Sequence, residues 1–177
     1  MIRCNLAILL AERGLKITKV SNDTGISRTT LTSLSNNYSQ GIQLETLNTL
    51  CMYLKIKPEQ LLSFVPLNLK IQHVSNLNRY EDFQQFEIEF EIEYNGRKHN
   101  CGLCATVEFF NFNSEVNIDI GLFDEDDETN EENAIIKNTI SKLPQPFLID
   151  FQNDLIKQIL FELDKDTDYK VTLVWSI

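Results

Sequence analysis

Two spacings of apolar residues divide this sequence. From Phe86 to Tyr94, FEIEFEIEY, Phe86, Ile88, Phe90, Ile92 and Tyr94 alternate with Glu87, Glu89, Glu91 and Glu93. A period of two is that of a strand with one greasy face and one wet face. Asn95-Gly96 follows, the strongest short signal for a tight hairpin, and predicts a return strand including Gly102 to Phe112. Ser114 to Phe123 alternates again through Val116, Ile118, Ile120 and Leu122. With a strand near Lys70 to Val74, reached through a Leu67-Asn68-Leu69 connector, residues 70–123 read as an antiparallel meander. Ala134 to Leu143 reads as a helix stopped by Pro144 and Pro146. Asp150 to Leu163 is a longer helix, with Phe151, Leu155, Ile159 and Leu163 spaced to cover the sheet. Lys170 to Ile177 is β-rich and contains the only tryptophan, Trp175.

The first third of the chain has the other spacing, three or four residues. Ile2 to Arg13 carries Ile2, Leu6, Leu9 and Leu10 on one helical face, and Gly14 sits where a C-cap glycine belongs. A second helix is expected from Thr18, as N-cap, to Thr24, anchored by Val20. Gly25 takes the turn, because a left-handed backbone is cheap only without a β-carbon. Ile26 plugs the core, and Ser27 is a natural N-cap for a third helix from Arg28 to about Asn36, with Leu31 and Leu34 inward. A fourth helix, Gln43 to Leu54, has the stripe Leu44, Leu47, Leu50, Cys51 and Leu54. Pro58 opens a short fifth helix with Leu61 and Leu62 inward. The fold class is therefore an all-α five-helix head followed by an α+β domain, its antiparallel sheet covered by one or two helices.

Charge sharpens that division. The chain as a whole is at −10. Residues 1–66 hold seven Lys/Arg against four Asp/Glu, net +3, while residues 67–177 hold nine against twenty-two, net −13. A phosphate-facing head on an acidic body fits this asymmetry, with domains expected at 1–65 and 66–177.

Little in the sequence points to catalysis or cofactors. His99, Cys101 and Cys104 form an H-x-C-x-x-C cluster, but a structural zinc site wants four ligands and no second pair lies nearby. Ordinary packing in a strand is the expectation. The four glutamates of the alternating strand read as a solvated face, and Asp124 to Asn133, DEDDETNEEN, as a flexible loop without the spacing of a calcium loop. No phosphate-binding glycine pattern occurs, so no cofactor, metal or enzymatic activity is expected. Four cysteines in 177 residues do not make a disulfide framework. Leu6 to Ala11 is too short to span a bilayer, so a reducing, cytoplasmic location is expected, with no membrane partner.

The stretch Ile17 to Leu34, two short helices about a tight turn, has the pattern of a DNA-reading helix-turn-helix. On the third helix Arg28, Thr29, Thr32 and Ser33 lie outward as candidate base readers: Arg28 by bidentate pairing to guanine, a threonine by its methyl against thymine. Thr18, Ser27, Asn36, Asn37, Tyr38 and Gln40 are candidate phosphate contacts. The segments LAILLAERGL, VSNDTGIS, RTTLTSL and LETLNTLCMYLKIKPEQLL make residues 2 to about 65 resemble the Cro/phage-repressor helix-turn-helix family. Ser21 stands where that family usually has alanine, and the loop before the fourth helix is slightly long and lacks the usual basic residue. The resemblance implies a transcriptional regulator, a repressor of the kind carried by phages and mobile elements. Such a protein binds a pseudo-palindromic double-stranded operator as a homodimer, with the body dimerising or receiving an effector. The alternative is an anti-CRISPR-type inhibitor whose acidic body binds a basic protein partner, a nuclease, by imitating a phosphate backbone.

Overall fold

In a computed structural model, residues 1–110, 115–123, 129–163 and 169–177 are described. They divide into two compact units, Met1–Val65 and Pro66–Ile177. Among the described residues no helix is long and apolar enough to cross a membrane.

The first unit runs β1 (Ile2–Cys4), α1 (Leu6–Glu12), α2 (Ile17–Thr24), α3 (Arg28–Ser35), α4 (Leu44–Leu54), α5 (Pro58–Leu61) and β2 (Leu62–Phe64). Its core gathers residues from all five helices: Leu6, Val20, Leu31, Leu50 and Leu61 are completely buried. Burial of one such side chain contributes about 1.5–3 kcal/mol, far more than the intrinsic propensity of helices only four to eleven residues long.

This head is not purely helical. β1 and β2 pair antiparallel, Ile2 opposite Phe64 and Cys4 opposite Leu62, and the Met1 ammonium donates to the Val65 carbonyl at 2.6 Å. The helix expected from Ile2 therefore starts at Leu6, leaving Ile2 71% exposed on the strand. Pairing of the segment with β2 outweighs its helical period. Two further expectations shift. Lys16, not Thr18, is the N-cap of α2, and Leu44 is 80% exposed at the start of α4.

The second unit holds β3 (Leu67–Arg79), β4 (Phe83–Tyr94), β5 (Arg97–Phe110), β6 (Glu115–Gly121), α6 (Thr129–Ile140), α7 (Gln145–Leu163) and β7 (Lys170–Ser176). The strands form one sheet in the order β3-β4-β5-β6-β7. Phe86, Ile88, Phe90 and Ile92 are buried, as their alternation predicts, while Tyr94 at the hairpin end is exposed. The turn at Asn95 and Gly96 has positive φ at both residues, 51° and 72°, the geometry that Asn-Gly favours. On α7, Phe147, Phe151, Leu155 and Ile159 are buried at four-residue intervals. The Phe151 ring meets Phe90 with centroids 5.6 Å apart.

Four details depart from the expected meander. β7 runs parallel to β6, so the sheet is mixed, because α6 and α7 form a crossover long enough to bring the chain back in the same direction. β3 begins at Leu67 rather than Lys70 and extends to Arg79, through a segment too polar to announce a strand. Thr129 to Asn133, the latter part of the acidic tract, is the first turn of α6, where Glu131 and Glu132 complement the helix dipole. The Phe147 and Leu148 amides both donate to the Pro144 carbonyl, so Pro144 and Pro146 start α7 rather than merely ending α6. Residues 111–114 and 124–128, on which parts of two expected strands and of the acidic loop fall, lie outside the described residues.

Candidate nucleic-acid interface

The turn between α2 and α3 is fixed by short-range polar contacts. Gly25 adopts φ +75° and its amide donates to the Ser21 carbonyl at 2.9 Å. The Ser21 hydroxyl reaches across the turn to the Ile26 carbonyl at 2.7 Å. Thr24 donates to the Val20 carbonyl at 2.6 Å and accepts from the Ile26 amide at 3.3 Å. Serine in place of the usual alanine thus fastens the turn with a hydrogen bond of its own. In the sequence Ser21 stands out only as a departure from alanine and Thr24 only as a helix end, because nothing there shows which carbonyl their hydroxyls face.

A second set of bonds holds α2 against α4. The Asp23 carboxylate pairs with Lys19 at 2.9 Å and accepts from the Tyr53 hydroxyl at 2.7 Å. These two hydrogen bonds hold the Asp23 carboxyl below its ordinary range, Lys19 first and Tyr53 second. The same carboxylate raises Lys19 and Tyr53.

On α3, Leu31 and Leu34 are buried and turn the opposite face outward. Arg28, Thr29 and Thr32 are exposed and Ser33 half-buried, so the four candidate readers share one side of one helix, with Arg28 and Thr29 at its N-terminal end. The side chains of Arg28, Thr29 and Thr32 make no hydrogen bond or ion pair with the described residues. They cost no internal contact when they meet another molecule.

Of the candidate phosphate contacts, Thr18, Ser27, Asn36, Tyr38 and Gln40 are exposed and Asn37 is half-buried. Ser27 and Asn37 are engaged within the fold. The Ser27 hydroxyl accepts from the Thr30 amide at 3.0 Å and lies 2.8 Å from the Thr30 hydroxyl. It caps α3 and leaves the first amides of that helix to face an anion. Asn37 has φ +56° just past the end of α3. There the Tyr38 amide donates to the Ser33 carbonyl and the Asn37 amide to the Leu34 carbonyl, a Schellman closure with asparagine in the left-handed position. Its side chain accepts from the Cys4 amide at 2.7 Å and donates to the Cys4 carbonyl at 3.2 Å. Asn37 therefore ties the end of α3 to β1. Lys16, exposed at the N-cap of α2 beside Thr18, joins the candidates, a cation at a helix end whose cap carries no side-chain hydrogen bond.

The cluster His99, Cys101 and Cys104 does not converge. Cys101 pairs with Phe90 on the buried face of β5, and Cys104 pairs with Glu87 on the other. The Cys101 thiol is pushed up to about 11, by burial and then by the charge of Glu132, so it is a packed thiol rather than a ready ligand. Among the described residues no group of His, Cys, Asp and Glu is placed to hold a metal ion.

Residues 5–66 match the model of the Cro/C1-type helix-turn-helix DNA-binding domain. Over 60 residues the chain is 32% identical to an uncharacterized HTH-type transcriptional regulator, YozG of Bacillus subtilis (strain 168). That alignment spans 34% of this chain and 71% of the relative. The chain belongs to the Cro/C1-type helix-turn-helix family. A solved structure from Bacteroides fragilis, of a protein proposed to bind DNA, aligns with 36% of this chain and all of its own length, at 25% identity and a TM-score of 0.33. Membership makes the chain a helix-turn-helix DNA-binding regulator by family and assigns double-stranded DNA as the ligand class of its head. The acidic unit lies outside the matched residues.

Proposed function

We propose that this Cro/C1-type protein is a sequence-specific repressor that binds a pseudo-palindromic operator as a dimer, and that its acidic unit is non-catalytic. The observation that carries the reading is the outer face of α3, where Arg28 and Thr29 at the N-terminal end of the helix and Thr32 one turn further on are exposed and uncommitted. Recognition helices present that end to base edges in the major groove. A two-fold dimer sets two such helices about 34 Å apart, one turn of duplex. The single cation on α3 makes two heads more important, since each head alone contributes few charge-assisted contacts.

The test is fluorescence anisotropy of the full chain on the DNA preceding its own coding sequence. Affinity should fall steeply with salt, as counterions are released. Arg28→Ala should cost about 1–3 kcal/mol on that sequence while random duplex is affected less. No binding at low salt would remove the reading.

A second reading takes its support from the acidic sheet face, where Glu87, Glu89, Glu91 and Glu93 line one side of β4. Such a face can imitate a phosphate backbone for the basic channel of a nuclease, as an anti-CRISPR inhibitor would. Inhibition of an RNA-guided nuclease by the full chain, relieved when Glu87, Glu89 and Glu93 become glutamine, would favour it. Absence of inhibition by the unaltered chain would dismiss it.

A further inference from the structure

The two edges of the five-stranded sheet are built differently. Pairing of β3 with β4 is broken by register shifts between Ile71 and His73 and between Asn76 and Asn78, and β3 carries Lys70, His73, Asn78 and Arg79. Bulges and charges of this kind keep an edge from recruiting another strand. β7 has neither bulge nor proline. It pairs with β6 in unbroken register from Lys170 to Ser176, and its one charge stands at its end. Among the described residues it has a neighbour on one side only. Its Val171, Leu173 and Trp175 extend the row of Val116, Ile118 and Ile120. The β6 residues are buried, whereas the β7 residues are only half-covered.

We propose that β7 pairs antiparallel with β7 of a second copy of this chain, about a two-fold axis through Leu173, so that one sheet runs through both acidic units. This rests on the dimeric reading above and names its interface. The register follows from the symmetry. Leu173 faces itself, Val171 faces Trp175, Thr172 faces Val174, and Lys170 faces Ser176. Both half-covered rows then lie on the same side of the joined sheet, and the Val171–Trp175 contact is of the aromatic and β-branched type that stabilises neighbouring strands. The charges fit a second copy as well. Lys170 is paired with Glu115 of its own chain at 2.6 Å and Ser176 donates to Asp119 at 2.8 Å, so the ends that meet across the axis carry their charges already matched, and no like charges are opposed. The strand is thus complementary to itself in its apolar row and brings no unmatched charge to the axis.

The register can be tested with the full chain by light scattering across a concentration series. Thr172 is exposed and Val174 is 40% exposed, both on the side away from the buried row, so charge there leaves the unit's own core intact. Thr172→Lys combined with Val174→Lys opposes like charges twice across the axis. It should weaken the dimer at least about tenfold, with circular dichroism unchanged. Thr172→Lys combined with Val174→Glu opposes unlike charges in the same register and should restore dimerisation. Independently, Leu173→Cys should give an intermolecular disulfide on oxidation, because that residue faces its own copy. A dimer indifferent to both double variants, and without the disulfide, would overturn the β7 pairing while leaving a dimeric reader standing. A chain that stays monomeric at every concentration and on operator DNA would overturn both.

Discussion

Asn37 illustrates how one residue changes meaning between sequence and structure. As a letter it is a polar side chain beyond the reading helix, a natural phosphate donor. In the fold its backbone takes the left-handed position that closes α3, and its amide grips both polar groups of the Cys4 backbone. Asparagine suits both tasks, since it tolerates positive φ better than other residues with a β-carbon. The two roles separate by substitution. Asn37→Gly keeps the backbone conformation and loses two hydrogen bonds, so it should destabilise the head by about 1–3 kcal/mol. Asn37→Ala adds the left-handed penalty of about 1–2 kcal/mol and should be the worse of the two. Thermal unfolding of both variants ranks them; equal losses would show that the side-chain tether alone matters. The tether was not legible because its partner is 33 positions away and has no side-chain signature.

Periodic elements were the legible ones. Val20, Leu31 and Leu34 fix α2 and α3, and Phe86 to Ile92 fix β4, because burial selects apolar residues at a spacing set by backbone geometry alone. The misread elements are those whose stability comes from elsewhere. β1 depends on pairing with β2, β3 is polar and held by the β4 ladder, and β7 takes its direction from a crossover of two helices. On the reading unit the weak point of the α2–turn–α3 element is Gly25. Nothing lies within 4 Å of where a β-carbon would stand, so its φ of +75° is the whole obstacle to substitution. Gly25→Ala should cost about 1–2 kcal/mol, and Gly25→Asn less. Gly102 presents the reverse case. Its β-carbon would meet the Phe123 ring at 2.9 Å, on a strand where φ is unrestricted. Denaturant midpoints for Gly25→Ala and Gly25→Asn decide the first point. Equal losses would mean that the turn is limited by packing rather than by backbone conformation.

At the scale of the whole molecule the puzzle is a DNA-binding family member at −10, in which only one unit has a net positive balance. An acidic body tethered to a basic head repels the same phosphates that the head attracts. The reach of that repulsion is set by salt: the Debye length is about 30 Å at 0.01 M and about 8 Å at 0.15 M. At the lower value it approaches the size of a small domain, and at the higher it covers little more than a side chain. Replacing Glu87, Glu89 and Glu93 with glutamine removes three charges from one sheet face while keeping both partners of the Glu91–Lys98 ion pair and the β7 edge. The substituted chain should bind random duplex several-fold more tightly at 0.01 M salt and no more tightly at 0.15 M, measured by anisotropy. A sequence-specific reader of the kind proposed would gain from this arrangement, because the penalty applies to every duplex alike, whereas base contacts would be made only on the right one. An equal gain at both salt concentrations would instead mean that these glutamates lie against the DNA itself, and the acidic unit would then belong to the interface.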